Sequence, residues 1–378
     1  MMNLSYIPVR IKTVVIVNDS DRVDGGAAKV ALMTAQALID AGYETYLFSA
    51  ESNNDFPKIK NLKYVSTKQY PSLSDPNKLR GALNGLYNFK AAKAFKRFLQ
   101  SLNPETTLVH IHTWTKALSS CVWNVAYSLH FPIYVTCHDY FSVCPNGGFF
   151  DYKKTKICHR KPLSLACLLC NCDSRNYGIK LYRFVRGLVQ NKAVNIFKKT
   201  SKFISISDFS ENILKENFPK GIIFERVYNP IDKIENVGKI KAKDNKYFLF
   251  VGRLSKEKGC ELFCRAITEL GLKGVVVGDG PDGDRLREKF KNSEIQFVGW
   301  KSRADVFEYM KKARALIFPS LWYETAGLSV LEALSIGLPC LVSDCCAASD
   351  FIKRDEDGCV FSGYEDLKRK LEKFYETA

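Results

Sequence analysis

The chain has 378 residues, 46% hydrophobic and 25% charged, enough for two globular domains with separate cores and not the make-up of a disordered or fibrous protein. No apolar run reaches eighteen residues, and Arg10 and Lys12 interrupt the first apolar stretch. Neither a membrane-spanning helix nor an export signal is therefore expected, and the cytoplasm is the expected location. The net charge of +16 is uneven: residues 1–232 hold 31 Lys/Arg against 17 Asp/Glu, and residues 233–378 hold 25 against 23. The first part is expected to meet something anionic, such as nucleic acid, a membrane surface or a phosphorylated substrate. Thirteen cysteines without an export signal argue against a disulfide framework.

In chain order, "TVVIVND" reads as a buried strand, "GGAAKVALMTAQALIDAG" as a loop and amphipathic helix ending at Gly42, and "ETYLFSA" as a second strand. "FKAAKAFKRFLQ" (89–100) has the pattern of a basic amphipathic helix. "LVHIHTW" and "IYVTCHDY" are strands with histidine at their carboxyl ends, and His110 and His112 are read as pointing to opposite faces. Between them and the next strand lies a cysteine-bearing stretch, 141–177. Residues 175–202 contain no acid and eight Lys or Arg interleaved with apolar residues, which reads as a membrane-surface helix. "KFISIS" is a strand, and Ser207 or Asp208 caps the helix "DFSENILKENF".

Residues 229–246 are polar and aperiodic and read as a linker, after which the strand–helix pattern restarts with "YFLFVGRLSKEKG", "GVVVGDGP", "IQFVGW" and "ALIFPS". The expected division is 1–228, the linker, 247–363, and a C-terminal helix over 364–378 that could cross back to the first domain. Strands alternating with helices twice over imply two parallel α/β domains.

Chemistry is expected at the strand ends of the second domain. Gly252, Gly278, Gly280 and Gly299 stand where backbone must approach a ligand closely. Arg253 and Lys258, five apart on one loop, could converge on an anionic group. Glu324 falls in the loop after "ALIFPS", and Glu332 falls one turn or so into the helix that follows; alone, the pair is equally a helix-end charge and a solvated carboxylate. Neither "VGDGP" nor "GGAAKV" has dinucleotide-binding or P-loop spacing.

Taken together, "VGRLSKEKG", "VGDGP", "FVGW" and "FPSLWYETAGLSVLEAL" resemble the nucleotide-binding half of retaining glycosyltransferases of the large family 4-like bacterial polysaccharide group. "GGAAKVALMTAQAL", "VTCHD" and "ISISDFSENIL" extend the resemblance over nearly the whole chain. The resemblance implies the GT-B fold, two Rossmann-like parallel-sheet domains facing across a cleft. It implies a donor nucleotide sugar, UDP- or GDP-linked, and a glycan acceptor that is lipid-linked, as in O-antigen, capsule or exopolysaccharide synthesis. By analogy Glu324 holds donor-sugar hydroxyls and Glu332 the ribose. The backbone at Thr325, Ala326, Gly327, Leu328 and Ser329 meets the diphosphate, with Arg253 and Lys258 neutralising it. Gly299 and Trp300 meet the base, Gly25 and Gly26 approach the diphosphate from the first domain, His138 contacts the sugar, and Asp139 orients the acceptor.

No Asp-x-Asp motif stands where a donor diphosphate would need one, so catalysis without a metal ion is expected. Separately, Cys144, Cys158, Cys167 and Cys172, with Cys170 or His159 as substitutes, are a candidate structural zinc site. Two other readings stay open: a nucleotide-sugar epimerase or soluble-acceptor synthase on the same fold, and a zinc-containing nucleic-acid-binding protein. The latter is disfavoured because the basic part lacks a recognisable nucleic-acid module.

Overall fold

The computed structural model describes residues 3–51, 58–230, 240 and 242–376. The expected linker therefore lies largely outside the described residues. The chain divides into two compact units, Met1–Gly147 with Arg160–Pro230, and Gly148–His159 with Ile231–Ala378.

The first unit contains β1 (Thr13–Ser20), α1 (Gly26–Asp40), β2 (Glu44–Glu51), β3 (Lys63–Ser66), α2 (Lys78–Leu86), α3 (Phe89–Leu99), β4 (Thr107–Ile111), α4 (Cys121–Ser128) and β5 (Ile133–Thr136). The short hairpin β6 (Phe150–Asp151) and β7 (Lys156–Ile157) falls in the second unit. The first unit then resumes with α5 (Leu165–Leu168), α6 (Tyr177–Leu188), α7 (Ile196–Lys199), β8 (Lys202–Ser205), α8 (Asp208–Asn217) and β9 (Phe224–Arg226). Its sheet runs β3-β2-β1-β4-β5-β8-β9 with every pairing parallel. All eight residues of β1 are buried, as expected for a central strand covered on both faces. Helix α1 presents Ala28, Ala31, Leu32, Ala35 and Leu38 at helical spacing and buries that stripe on the sheet.

The second unit holds β10 (Tyr247–Val251), α9 (Cys260–Glu269), β11 (Lys273–Val277), α10 (Gly283–Lys289), β12 (Ile295–Gly299), α11 (Arg303–Lys311), β13 (Ala313–Phe318), α12 (Leu328–Ser335), β14 (Cys340–Ser343), β15 (Gly358–Phe361) and α13 (Gly363–Glu376). Its parallel sheet has the order β12-β11-β10-β13-β14-β15. In both sheets the order reverses beside the first strand, and ligands of doubly wound sheets bind in the crevice beyond the carboxyl ends at that reversal. The C-terminal helix does not leave its unit: Leu367 and Leu371 of α13 are buried in the core that α9 and β10 also supply, and Lys368 pairs with Glu269 of α9. Among the described residues no helix is long and apolar enough to cross a membrane.

Candidate active site

In the second unit the order reverses between β10 and β13, and the loops leaving these two strands interlock. After β10, Ser255 bonds Glu257 at 2.7 Å, a single turn over Lys256–Lys258 follows, and Gly259 (φ 69°) ends it. A Cβ on Gly259 would lie 1.8 Å from the Pro319 carbonyl oxygen, so the β10 loop touches the β13 loop backbone to backbone. The Leu321 amide donates to the Glu257 carbonyl at 2.8 Å and locks the same contact.

This interlock brings Lys258 and Glu324 together. The Lys258 ammonium pairs with the Glu324 carboxylate and lies 5.2 Å from the Trp322 ring centre, while the Trp322 indole N–H donates to Glu324 Oε2 at 2.9 Å. The Glu324 backbone is itself fixed, since its carbonyl accepts from Ala347 at 2.9 Å and its segment bridges Cys346 in parallel. Gly327 (φ 74°) caps α12, where a Cβ would meet that of Ala348 at 2.6 Å. Thr325, Ala326, Leu328 and Ser329 surround this helix start, which supplies unbonded amides and a partial positive charge. One turn further, Glu332 accepts from Arg303 Nε at 3.3 Å.

Arg253 is exposed on the β10 loop. Gly278 and Gly280 follow β11, and side chains there would run into backbone: a Cβ would stand 1.9 Å from Gly252 O and 2.5 Å from Leu254 O respectively. Gly299 (φ 73°) ends β12, and Trp300 beside it is 76% exposed. The expected donor residues of the second unit thus gather at the carboxyl ends of β10, β11, β12 and β13. Trp322 and Arg303, which hold the two glutamates, were not anticipated from the sequence. Position 322 could have been, because a side chain two residues from Glu324 in an extended loop shares its side.

Gly148, on the hairpin segment of this unit, also faces Trp322: a Cβ there would stand 2.7 Å from the indole Cε3. Phe149 follows, its ring 6.4 Å from that of Tyr323.

The first unit holds the other expected residues. Gly25 and Gly26 lie exposed at the start of α1, beyond β1. His138 follows β5, and its Nε2 lies 2.9 Å from His112 Nδ1. His110 and His112 do not point to opposite faces as expected; residues two apart on a strand share a face, and their ring centres are 4.3 Å apart. His110 Nε2 bonds the Thr136 hydroxyl at 2.8 Å. Burial, reinforced by the neighbouring imidazoles, pushes His110 down to about 3 and His112 well below its ordinary value, and burial takes His138 to about 3. All three are neutral at physiological pH. Asp139 accepts from the Phe141 amide at 2.9 Å, and burial lifts its carboxyl to about 6 although the Arg186 cation opposes the rise.

Asp19, at the end of β1, escaped the sequence reading. Its carboxylate accepts from the amides of Lys116, Ala117 and Leu118, each at 2.9 Å, and so shapes the loop after β4 beside the reversal of this sheet. Lys116 in turn reaches Asp24 at 2.6 Å.

Among the described residues no three or more His, Cys, Asp or Glu side chains stand close enough to hold a metal ion. Cys158 belongs to the second unit, whereas Cys144, Cys167 and Cys172 belong to the first. Cys144 Sγ bonds Asn146 Oδ1 at 3.1 Å, and the same asparagine donates to the Cys172 carbonyl at 3.2 Å. Cys167 Sγ accepts from the buried Lys180 ammonium at 3.1 Å.

The basic stretch 175–202 also differs from expectation. Lys180 is buried on Cys167, Arg183 pairs with the buried Asp173 at 2.8 Å, and Arg186 donates to the Thr115 carbonyl at 3.0 Å while lying over the Phe141 ring. These cations face inward, and burial lowers Arg186 to about 10.

Comparison with known proteins agrees with this architecture. Residues 24–233 match the model of Glycosyltransferase Family 4, and residues 232–378 that of glycosyl transferases group 1. An uncharacterized 42.6 kDa protein in the cps region of Klebsiella pneumoniae is 23% identical over 351 residues, 89% of this chain and 82% of its own. The Escherichia coli UDP-Gal:alpha-D-GlcNAc-diphosphoundecaprenol alpha-1,3-galactosyltransferase is 31% identical over 154 residues, 37% of this chain and 39% of its own. Among solved structures, Anabaena HepE in complex with UDP superposes with a TM-score of 0.64 at 15% identity, covering 96% of this chain and 90% of its own. The chain belongs to Glycosyltransferase Family 4 and is a glycosyltransferase of the GT-B fold.

Proposed function

We propose that this glycosyltransferase moves a hexose, with retention of anomeric configuration, from a UDP- or GDP-sugar to a lipid-linked cell-surface glycan. The observation that supports this reading best is the Lys258–Glu324–Trp322 cluster at the mouth of β10 and β13, beside the start of α12. A sugar diphosphate laid there meets a carboxylate able to take up hydroxyls, a lysine, and a helix end that favours anions. The Escherichia coli relative acts on a diphosphoundecaprenol-linked sugar, and HepE binds UDP, which favours a donor and an acceptor of these kinds here.

In the reaction the bond between the anomeric carbon and the diphosphate oxygen breaks, and its electron pair leaves with the diphosphate. The acceptor hydroxyl adds to the same face of the sugar, and its proton passes to a phosphate oxygen. Arg253, Lys258 and the α12 amides act on the negative charge that grows on the leaving group, so they accelerate the step rather than only tighten binding. Glu324 is a ligand of sugar hydroxyls, not a nucleophile, and is held for that role by Trp322 and Lys258.

The test is a panel of nucleotide sugars assayed by thermal shift, slow hydrolysis and transfer. Arg253→Ala and Lys258→Ala should each lower turnover by roughly 10²–10³. Glu324→Ala should impair transfer while free nucleoside diphosphate still binds, and Glu332→Ala should weaken the nucleotide itself. Equal loss of nucleoside diphosphate binding in both glutamate variants would overturn these roles, and stabilisation by no nucleotide sugar would overturn the reading.

A further inference from the structure

Helix α6 has two faces, and the charged one is turned inward. Its outward face carries Leu181, Val185 and Leu188, spaced three and four apart and 37%, 45% and 36% exposed. On one side this stripe borders α2, where the Tyr182 hydroxyl meets Gly85; on the other it borders the cysteine-bearing segment, where Leu163 meets Gly187. Both neighbours continue the apolar surface. Leu165 and Leu169 of the cysteine-bearing segment are 70% and 69% exposed, and Leu83 of α2 is 57% exposed. A monomer rarely leaves so many large aliphatic side chains in water on adjoining elements unless something covers them.

Charge decides what that something is. The three segments that present these leucines, residues 76–104, 160–172 and 174–207, contain no Asp or Glu at all, and 76–104 alone carries six Lys or Arg. Lys78 and Lys192, both exposed, stand five residues before Leu83 and four after Leu188. A second copy of the chain, packed through this face by a two-fold axis, would set the basic segments against themselves. An anionic bilayer complements both features, since aliphatic side chains enter the acyl boundary while lysines meet phosphate.

We infer that the outward face of α6, with α5 and α2, is a membrane-docking surface for an anionic bilayer, held by inserted leucines and rimmed by lysines. The inference rests on the proposed lipid-linked acceptor and names the surface on which the enzyme meets it. It moves recruitment from the arginines of α6, which are engaged within the unit, to the leucines between them.

The experiment uses the full chain and vesicles of phosphatidylcholine with or without one quarter phosphatidylglycerol. Wild-type protein should bind the anionic vesicles and be only partly released by 0.5 M salt, because apolar insertion is not screened. The triple variant Leu181→Gln, Val185→Gln, Leu188→Gln should bind at least about tenfold more weakly, with unchanged thermal stability and unchanged donor hydrolysis in solution. A separate Val185→Trp variant should be quenched by brominated lipid. Unaltered vesicle binding in the triple variant overturns the surface, as does a wild-type dimer that the same substitutions disperse. If vesicles are ignored while a detergent-solubilised lipid-linked acceptor is still glycosylated, the surface fails and the proposed function stands. If the surface variants lose vesicle binding but no nucleotide sugar is used by any form, the surface stands and the proposed function fails.

Discussion

The imidazoles of His110, His112 and His138 lie in a row, and burial keeps all three neutral. Unfolded, each would take a proton below its ordinary value near 6.5, so the unfolded chain binds more protons than the native one between about pH 6.5 and 3. Their contribution is complete above pH 6.5 and is lost as pH falls, by up to ~1.4 kcal/mol per unit for each imidazole. Asp139, Asp19 and Glu51, whose carboxyls burial raises, work in the opposite direction, since the native chain holds their protons longer. The imidazoles of the unfolded chain begin to take up protons near 6.5, above the range in which carboxyls ordinarily titrate, so they set the slope as pH falls from 7. Stability by urea titration should therefore fall steeply from pH 7 to pH 5, and His110→Asn should shallow that slope. A flat profile in wild type would show that the imidazoles are not neutral in the native chain.

Among the elements, those that strand and helix periodicity governs were legible: the parallel strands, their order of appearance, and the loops that follow β10 and β13. What local pattern could not reveal was the partner each polar side chain finds far along the chain. The arginines of α6 read as part of a membrane-surface face because pattern alone does not show that Asp173 and the Thr115 carbonyl receive them. The apolar spacing of Leu181, Val185 and Leu188 was in the sequence, but periodicity says only that two faces differ, not which is buried. The histidine faces were misread although two-residue spacing on a strand was enough to assign them. Elemental analysis of protein purified under reducing conditions tests the structural zinc proposed at Cys144, Cys158, Cys167 and Cys172: about one zinc per chain would support it, and no stoichiometric metal would exclude it. The hairpin of β6 and β7, with strands of two residues, left no periodic trace. Gly148→Val should displace the Trp322 indole from Glu324 and reduce turnover by about tenfold, as for loss of one hydrogen bond. Nucleoside diphosphate affinity should be preserved, and unchanged turnover would mean that the indole does not steady Glu324.

For the whole molecule, division into units does not follow division of the chain. Residues 148–159 are made within the run that builds the first unit, yet they pack with the second. During synthesis Gly148 leaves the ribosome 174 residues before Trp322, the difference of their positions. At ordinary elongation rates of about 5–20 residues per second, that is a wait of roughly 10–35 s. Over this interval Phe149 and Phe150, both buried in the finished protein, have no second unit to pack against. The twelve residues 148–159 therefore complete their packing only once the second unit has been made, so folding of that unit must reach back to a segment synthesised long before it.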